Sequence, residues 1–261
     1  MSNDRIRPII FLILLLFLPA RLLAEDIVIG MSAAFTGPSK GLGIELYRGS
    51  TAYLEHVNRT GGIYGQKIVI KPYDDGYNPI PAIRNTIELI EQDNAFLLFN
   101  YVGTPTVTRM LPLLKSYKGR FVYLFSPFTG AEPLRQPPYG EYVFNLRASY
   151  SDETEGLVDH FVSTGRSRIA VFYQADAYGR SGWDGVKKAL AKNFGLKMVG
   201  EATYRRGAEY SQSFKEQVDV IRKASADVVI SIGAYAVCAA FIRDARNAGL
   251  NIPIANLSFV G

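Results

Sequence analysis

Gly37-Pro38-Ser39-Lys40-Gly41 has the G-x-S-x-G spacing of a serine nucleophile held on a tight turn. That chemistry needs a helix directly after the serine, an acid, and a late histidine to take the hydroxyl proton. The two histidines are His56 and His160, and neither lies late in the chain after a suitable acid. Gly41-Leu42-Gly43 opens a dinucleotide-binding pattern, but Leu46 stands where the third glycine belongs. Asp74-Asp75 would serve a metal or an acid–base pair only if both carboxylates faced one point. Neighbours on an extended segment point apart, so the pair is assigned to turn and inter-lobe hydrogen bonding. Cys238 is the single cysteine, which excludes an internal disulfide, and it lies in an apolar helical stretch, Ala236–Ala240. It reads as a small buried core residue, since a catalytic thiol needs a base beside it. The chain is therefore expected to be non-enzymatic, with no cofactor and no metal.

A second set of residues suits binding. Asn100-Tyr101-Val102-Gly103-Thr104-Pro105-Thr106 follows an apolar run. Thr104 is expected as the N-cap of a helix with Pro105 at its first position. Gly103 lets a ligand approach the backbone, and the helix start offers free N–H groups to a carboxylate. Ser126-Pro127-Phe128-Thr129-Gly130-Ala131 is a second such loop, with hydroxyls, an aromatic ring and a glycine. Tyr178 and Tyr235 each follow a strand-like run, and a tyrosine combines flat apolar area with a hydroxyl.

The elements that must position these residues alternate between strand and helix. The first series runs Ile27–Met31, Leu42–Asn58, Lys67–Tyr73, Pro81–Gln92, Ala95–Phe99, Thr104–Ser116 and Phe121–Phe125. Within it, Ile83, Ile87 and Ile90 are expected on one face of their helix. The second runs Glu153–Ser163, Arg168–Tyr173, Gly182–Asn193, Leu196–Ala202, Ser211–Lys223, Asp227–Ser231, Ala236–Ala248 and Ile252–Ala255. Such alternation implies parallel sheets covered on both faces, with ligands at the loops after the strands' carboxyl ends. Pro133–Asn145, too rich in proline for a helix, is expected as the hinge between two α/β lobes. The expected division is 1–24, 25–141 for the N-terminal lobe and 142–261 for the C-terminal lobe.

The opening residues place Arg5 and Arg7 before a wholly apolar run, Ile9–Leu18, and then Pro19 and Leu22-Leu23-Ala24. That is the order of a secretory signal, with cleavage expected after Ala24. Its apolar run is shorter than the ~20 residues that span a bilayer. The formal charge of +5 falls to +3 once residues 1–24, with three Arg and one Asp, are removed. The remaining charges are interleaved with no basic stripe, so nucleic acid is not an expected partner.

Taken in order, the motifs resemble the type I periplasmic binding proteins of the branched-chain-amino-acid-binding group. The resemblance rests on Ile29-Gly30-Met31 with Thr36-Gly37-Pro38, then Asn58 with Gly61-Gly62-Ile63-Tyr64-Gly65, then Tyr73-Asp74-Asp75-Gly76. It continues through Gly103-Thr104, Ser126-Pro127, Tyr178-Gly179 and Ala245-Arg246-Asn247-Ala248-Gly249-Leu250. It implies two Rossmann-like lobes that close over an amino acid or a related amide or small organic acid. It implies a periplasmic monomer that hands its ligand to the membrane permease of an ABC importer. The same module also serves as the ligand-sensing part of membrane signalling receptors, and genomic neighbours would separate the two. Carried over by position, the carboxylate site falls on Thr104 and the Phe128-Thr129-Gly130 loop, where the family's loop threonine aligns with Gly130, one position past Thr129, and a ligand-contacting tyrosine falls on Tyr178. A second such tyrosine falls on Ala234, beside Tyr235. The acid that would meet an ammonium group falls on Ser258, and a first-lobe disulfide of some members falls on Tyr77 and Gly103. The resemblance also implies a C-terminal part beyond Gly261 that is missing here and would complete the second lobe and close the first.

Overall fold

Ile169–Gln174 and Val228–Ile232 are buried at every position. Strands apolar on both sides can be accommodated only inside a parallel sheet with helices on each face, and this dictates the architecture. The computed structural model of the protein describes residues 25–193 and 195–260. The expected secretory signal at 1–24 lies outside the described residues.

The first sheet holds β1 (Ile27–Ala33), β2 (Ile68–Asp74), β3 (Leu97–Phe99), β4 (Leu124–Phe125) and β5 (Val143–Phe144), in the order β2-β1-β3-β4-β5. The second holds β6 (Ile169–Gln174), β7 (Gly200–Tyr204), β8 (Val228–Ile232) and β9 (Ile254–Asn256), in the order β7-β6-β8-β9. Every strand pair is parallel, with Ile29 between Ile70 and Leu97 and Val171 between Glu201 and Ile230. The crossovers are α1 (Lys40–Arg59), α2 (Pro79–Glu91) and α3 (Thr104–Ser116) in the first lobe. In the second they are α5 (Ala177–Lys192), α6 (Lys215–Lys223) and α7 (Tyr235–Asn247), and α4 (Tyr150–Ser163) leads into β6. The fold is thus α/β with two sets of parallel strands.

The helix starts follow from local chemistry. Asn78 accepts the Ile80 N–H at the start of α2, and Pro79 occupies a position whose N–H would have no partner. Ser149 and Asp152 form a reciprocal capping box on α4. Asp176 accepts from the Tyr178 and Gly179 N–H groups at the start of α5.

Several expectations shift. Phe121–Phe125 shrinks to Leu124–Phe125, because Lys118–Arg120 is a 3₁₀ turn and Phe121 is left-handed (φ 55°). On α2 the buried residues are Ala82, Thr86, Leu89 and Ile90, with Ile83 and Ile87 beside them and half-buried. β5 pairs with β4, so the first sheet carries the chain past the expected division at 141/142 and through Phe144. α5 begins at Ala177 rather than Gly182, which puts Tyr178 in a helical first turn rather than a loop.

One apolar core runs from Met31, Leu98 and Met110 in the first lobe, through Tyr150 and Tyr178, to Val171, Ile230 and Leu257 in the second. Each such burial stabilises by roughly 1.5–3 kcal/mol. A smaller core on the other face of the second sheet centres on Phe172 and Phe241, stacked at 4.1 Å. The carboxyl ends of the two sheets converge where the lobes meet. Tyr77, which follows β2, touches Gln174 at the end of β6, and Phe128, which follows β4, touches Phe259, which follows β9.

Candidate functional site

The two first-lobe loops are stitched together before any side chain is considered. Val102 and Phe128 form a parallel bridge, the Gly103 N–H donates to Phe128 O (3.1 Å), and the Phe128 N–H donates to Tyr101 O (2.7 Å). Gly103, at φ 97°, is the N-cap of α3. Thr104 is therefore the first helical residue and not the cap that the sequence suggested. This frees its hydroxyl, which pairs with the Thr129 hydroxyl at 2.7 Å, both fully buried. Thr106 donates to Gly103 O (2.7 Å) and so fixes the first turn. Gly130 is required by crowding: a Cβ there would lie 2.8 Å from Tyr150 N, while the Gly130 carbonyl accepts that N–H at 2.8 Å.

Tyr150 and Tyr178 complete the inner part of the cleft. Their rings are 5.1 Å apart, both are wholly buried, and neither hydroxyl oxygen has a hydrogen-bond partner. Burial holds the Tyr178 hydroxyl well above its ordinary pKa. Burial also raises that of Tyr150, and the facing Thr129 and Thr104 hydroxyls and the Gly130 backbone only partly offset this. Those groups approach Tyr150 without an aligned hydrogen bond. Both phenols are neutral donors at neutral pH. A buried polar group left unpaired costs about 1–3 kcal/mol, so two side by side stand out in this core.

The outer part of the cleft carries charge. The Arg147 guanidinium lies over the Phe128 ring at 4.0 Å and hydrogen-bonds the Ser258 hydroxyl. Ser258 is also bound by Glu153, which accepts its N–H at 2.8 Å and its hydroxyl at 2.6 Å. A carboxylate thus stands beside Ser258, supplied by α4. Phe259 is fully buried between Tyr178 (4.6 Å) and Phe128 (5.4 Å). A cavity of about 780 Å³ opens here, its walls including Phe128, Arg147, Glu153, Asn256 and Ser258.

The structure therefore gathers Gly103, Thr104, Phe128, Thr129, Gly130 and Tyr178 round one point, with Ser258 at its mouth. Tyr235 is set apart: its hydroxyl accepts the Gly41 N–H at 3.3 Å and ties α7 to α1 across the lobes. Sequence reasoning missed Tyr150, Arg147 and Glu153. The Ser149-x-x-Asp152 spacing was the available signal, since it starts α4 at Tyr150 rather than Glu153. The Asp74-Asp75 pair points apart as expected, but all its bonds stay within the first lobe. Asp74 accepts from the Phe35, Thr36 and Gly76 N–H groups, and Asp75 from the Ser32 hydroxyl and the Tyr77 N–H.

Nucleophile chemistry finds no support in these positions. Burial pushes the Cys238 thiol up to about 11, and its neighbour is the Ser231 hydroxyl at 3.2 Å. His56 and His160 lie exposed on α1 and α4. Among the described residues no group of His, Cys, Asp or Glu is arranged to hold a metal, and no helix is long and apolar enough to cross a membrane.

Comparison with known proteins bears on the fold and the family. The chain is 28% identical over 229 residues to an amino acid binding protein of Pseudomonas aeruginosa, covering 86% of this chain and 58% of that one. It is 26% identical over 226 residues to Leu/Ile/Val-binding protein homolog 3 of Brucella melitensis, covering 86% and 59%. The crystal structure of a possible leucine/isoleucine/valine-binding protein from Rhodopirellula baltica matches with a TM-score of 0.84 and 29% identity, covering 93% and 65%. The chain spans 58–59% of the length of these curated relatives. The model of the family described as periplasmic binding protein matches residues 26–260, a range that takes in both sheets and every cleft residue named above; the chain belongs to that family.

Proposed function

We propose that the protein is a periplasmic, non-catalytic solute-binding protein that takes an amino acid or a related small carboxylate or amide into the inter-lobe cleft and delivers it to the permease of an ABC importer. The observation that carries this reading is the buried Thr104–Thr129 hydroxyl pair beside Tyr150, whose hydroxyl, like that of the neighbouring Tyr178, has no hydrogen-bond partner. With one threonine proton engaged within the pair, these groups leave up to three hydroxyl donors for a carboxylate in a site that excludes water, where a hydrogen bond to a charged group contributes about 1.5–3 kcal/mol. The names of the relatives support an amino-acid-like ligand.

In this mechanism the ligand docks on the first-lobe loops while the lobes are apart. The acid that the resemblance expects at Ser258 is replaced by Glu153, whose carboxylate lies against that serine and meets the ligand's amino or amide N–H. Flexing of the crossing between β5 and α4 then brings Tyr178 over the ligand. Ligand energy favours the closed form because only that form makes contacts from both lobes. The closed surface is what the permease recognises.

The test is thermal unfolding of the purified protein with a panel of amino acids, amides and small carboxylates. Saturation with one class raises the transition, by about 2.7 kcal/mol at one hundred times Kd. An unshifted transition across the whole panel would remove the solute-binding reading.

A further inference from the structure

Tyr77 belongs to the first lobe, yet much of what holds its side chain belongs to the second. It is 4% exposed. Its hydroxyl accepts from Gln174 Nε2 at 3.4 Å, the Arg206 guanidinium lies 5.7 Å from its ring centre, and Phe259 stacks on it at 6.0 Å. These partners follow three different strands of the second sheet or end them, so no local packing rule brings them to one ring. They are also held in place themselves. Gln174 donates to Asp176 (2.6 Å) and accepts from the Tyr204 hydroxyl (3.1 Å), and Tyr204 accepts the Ala234 N–H (2.9 Å). Asp176 in turn pairs with Arg206 at 3.7 Å.

The first-lobe side of the ring is equally built. Tyr77 is left-handed at φ 61°, an uncommon conformation for a bulky residue, and its N–H is held by Asp75 at 2.8 Å. The edge of its ring abuts Gly103, where a Cβ would come within 2.0 Å of it. Gly103 is the cap of α3 and immediately precedes Thr104. The same ring thus touches the ligand loop on one side and the second lobe on the other.

We propose that Tyr77 is a positioning residue that latches the two lobes shut: it couples the Gly103–Thr104 loop to Gln174, Arg206 and Phe259, and these contacts exist only in the closed arrangement. The inference rests on reading the cleft as one that opens and closes. Its consequence is a closed population sustained by the protein itself, which a ligand then increases.

The test measures closure directly and needs no ligand. Cysteines at exposed Lys40 and Arg205 (Lys40→Cys, Arg205→Cys) carry spin labels across the cleft, and the buried native Cys238 stays unlabelled. Pulsed dipolar spectroscopy then gives the distribution of inter-lobe distances. Against the unsubstituted protein, Tyr77→Phe keeps the ring and loses the hydroxyl, and is expected to raise the open-to-closed ratio about fivefold, the worth of one hydrogen bond. Tyr77→Ala loses the cation–π and stacking contacts as well and is expected to raise it further. Thermal unfolding of each variant shows whether it remains folded, and Tyr77→Phe, which leaves no cavity, is the variant that decides if Tyr77→Ala does not. Distance distributions of Tyr77→Phe and Tyr77→Ala identical to that of the parent would overturn the latch and leave solute binding untouched. A shift to longer distances, in a protein that no compound of the thermal panel stabilises, would sustain the latch and remove the solute-binding reading instead.

Discussion

The ring of Tyr77 fills the space that a side chain at Gly103 would occupy, and a Cβ built there would stand 2.0 Å from Tyr77 Cε2. The resemblance to the branched-chain-amino-acid-binding group places a disulfide of some members at these two positions. Here an aromatic ring on a bare backbone does a comparable joining task without a covalent bond. Gly103→Ala meets both a steric clash and a left-handed backbone (φ 97°), and is expected to lower unfolding stability by about 2–4 kcal/mol. Adding Tyr77→Ala removes the clash but not the backbone strain, so the double variant recovers part of that loss. Denaturant titration of the four proteins in a double-mutant cycle gives the coupling directly. Purely additive effects would mean that ring and glycine do not crowd each other.

Thr104→Val removes one partner of the buried hydroxyl pair and keeps the volume. The Thr129 hydroxyl loses its 2.7 Å contact and keeps only the Ala131 N–H at 3.3 Å, so stability falls by about 1 kcal/mol. Ligand affinity is expected to fall at least tenfold, since a donor to the carboxylate is gone. Thr108→Val serves as control, because that hydroxyl donates to the Thr104 carbonyl within its own helix. Calorimetric titration with the compound that stabilises the parent protein separates the two, and equal losses in both would mean that Thr104 has no special place.

The tyrosines should show stability and binding moving in opposite directions. Tyr178→Phe deletes a hydroxyl that is buried without a partner. The empty protein is then expected to gain up to about 1 kcal/mol, while ligand binding weakens. If the empty protein is instead destabilised, that hydroxyl has a partner and is not held ready for a ligand.

How far the sequence foretold this site depended on the range of the contacts. β6 and β8 were legible because their six and five consecutive buried residues are apolar but for Gln174 and Ser231. α3 was found at its true limits because Pro105 and the preceding glycine punctuate its start. The role of Thr104 was misjudged by one position, because the cap is the backbone of Gly103 at φ 97°, with no side-chain capping bond for a residue type to announce. Glu153 was not legible as a cleft residue at all. Its partner Ser258 is 105 positions away, and nothing local to either residue encodes the meeting. Tyr178 was found, but as a loop residue, because Asp176 starts the helix with a cap that lies outside the apolar periodicity of α5.

Glu153→Gln discriminates among ligand chemistries. The carboxylate becomes an amide whose one oxygen accepts one of the two Ser258 bonds, and the charge is lost. If the ligand brings an ammonium group, affinity should fall about tenfold or more, and the corresponding carboxylate lacking the amino group should be unaffected. If the ligand is an uncharged amide, the change should be within a factor of a few. Titrating parent and variant with an amino acid, its deaminated acid and its amide reads the chemistry from the pattern. Equal affinities of both proteins for all three compounds would remove Glu153 from the site.

Asp75 makes the pH dependence of stability specific. Burial pushes its pKa up to about 6, against the opposing donations of the Ser32 hydroxyl and the Tyr77 N–H, and the neighbouring charge of Asp74 adds to the rise. The ordinary value for aspartate is ~3.9 in an unfolded chain. Between those values the folded protein holds the proton that the unfolded chain has released. Its stabilising contribution is therefore complete below pH ~4 and is lost as pH rises through about 6, amounting to about 1–3 kcal/mol. Asp75→Asn does not titrate, and other carboxylates whose pKa values shift, such as Asp176 and Asp152, are common to both proteins. The stability of the parent minus that of Asp75→Asn should thus fall by about 1–3 kcal/mol from pH 4 to pH 6.5 in denaturant titrations. A difference that stays level over this range would show that Asp75 ionises as an exposed carboxylate does, and that the N–H of Tyr77 is held by an anion throughout.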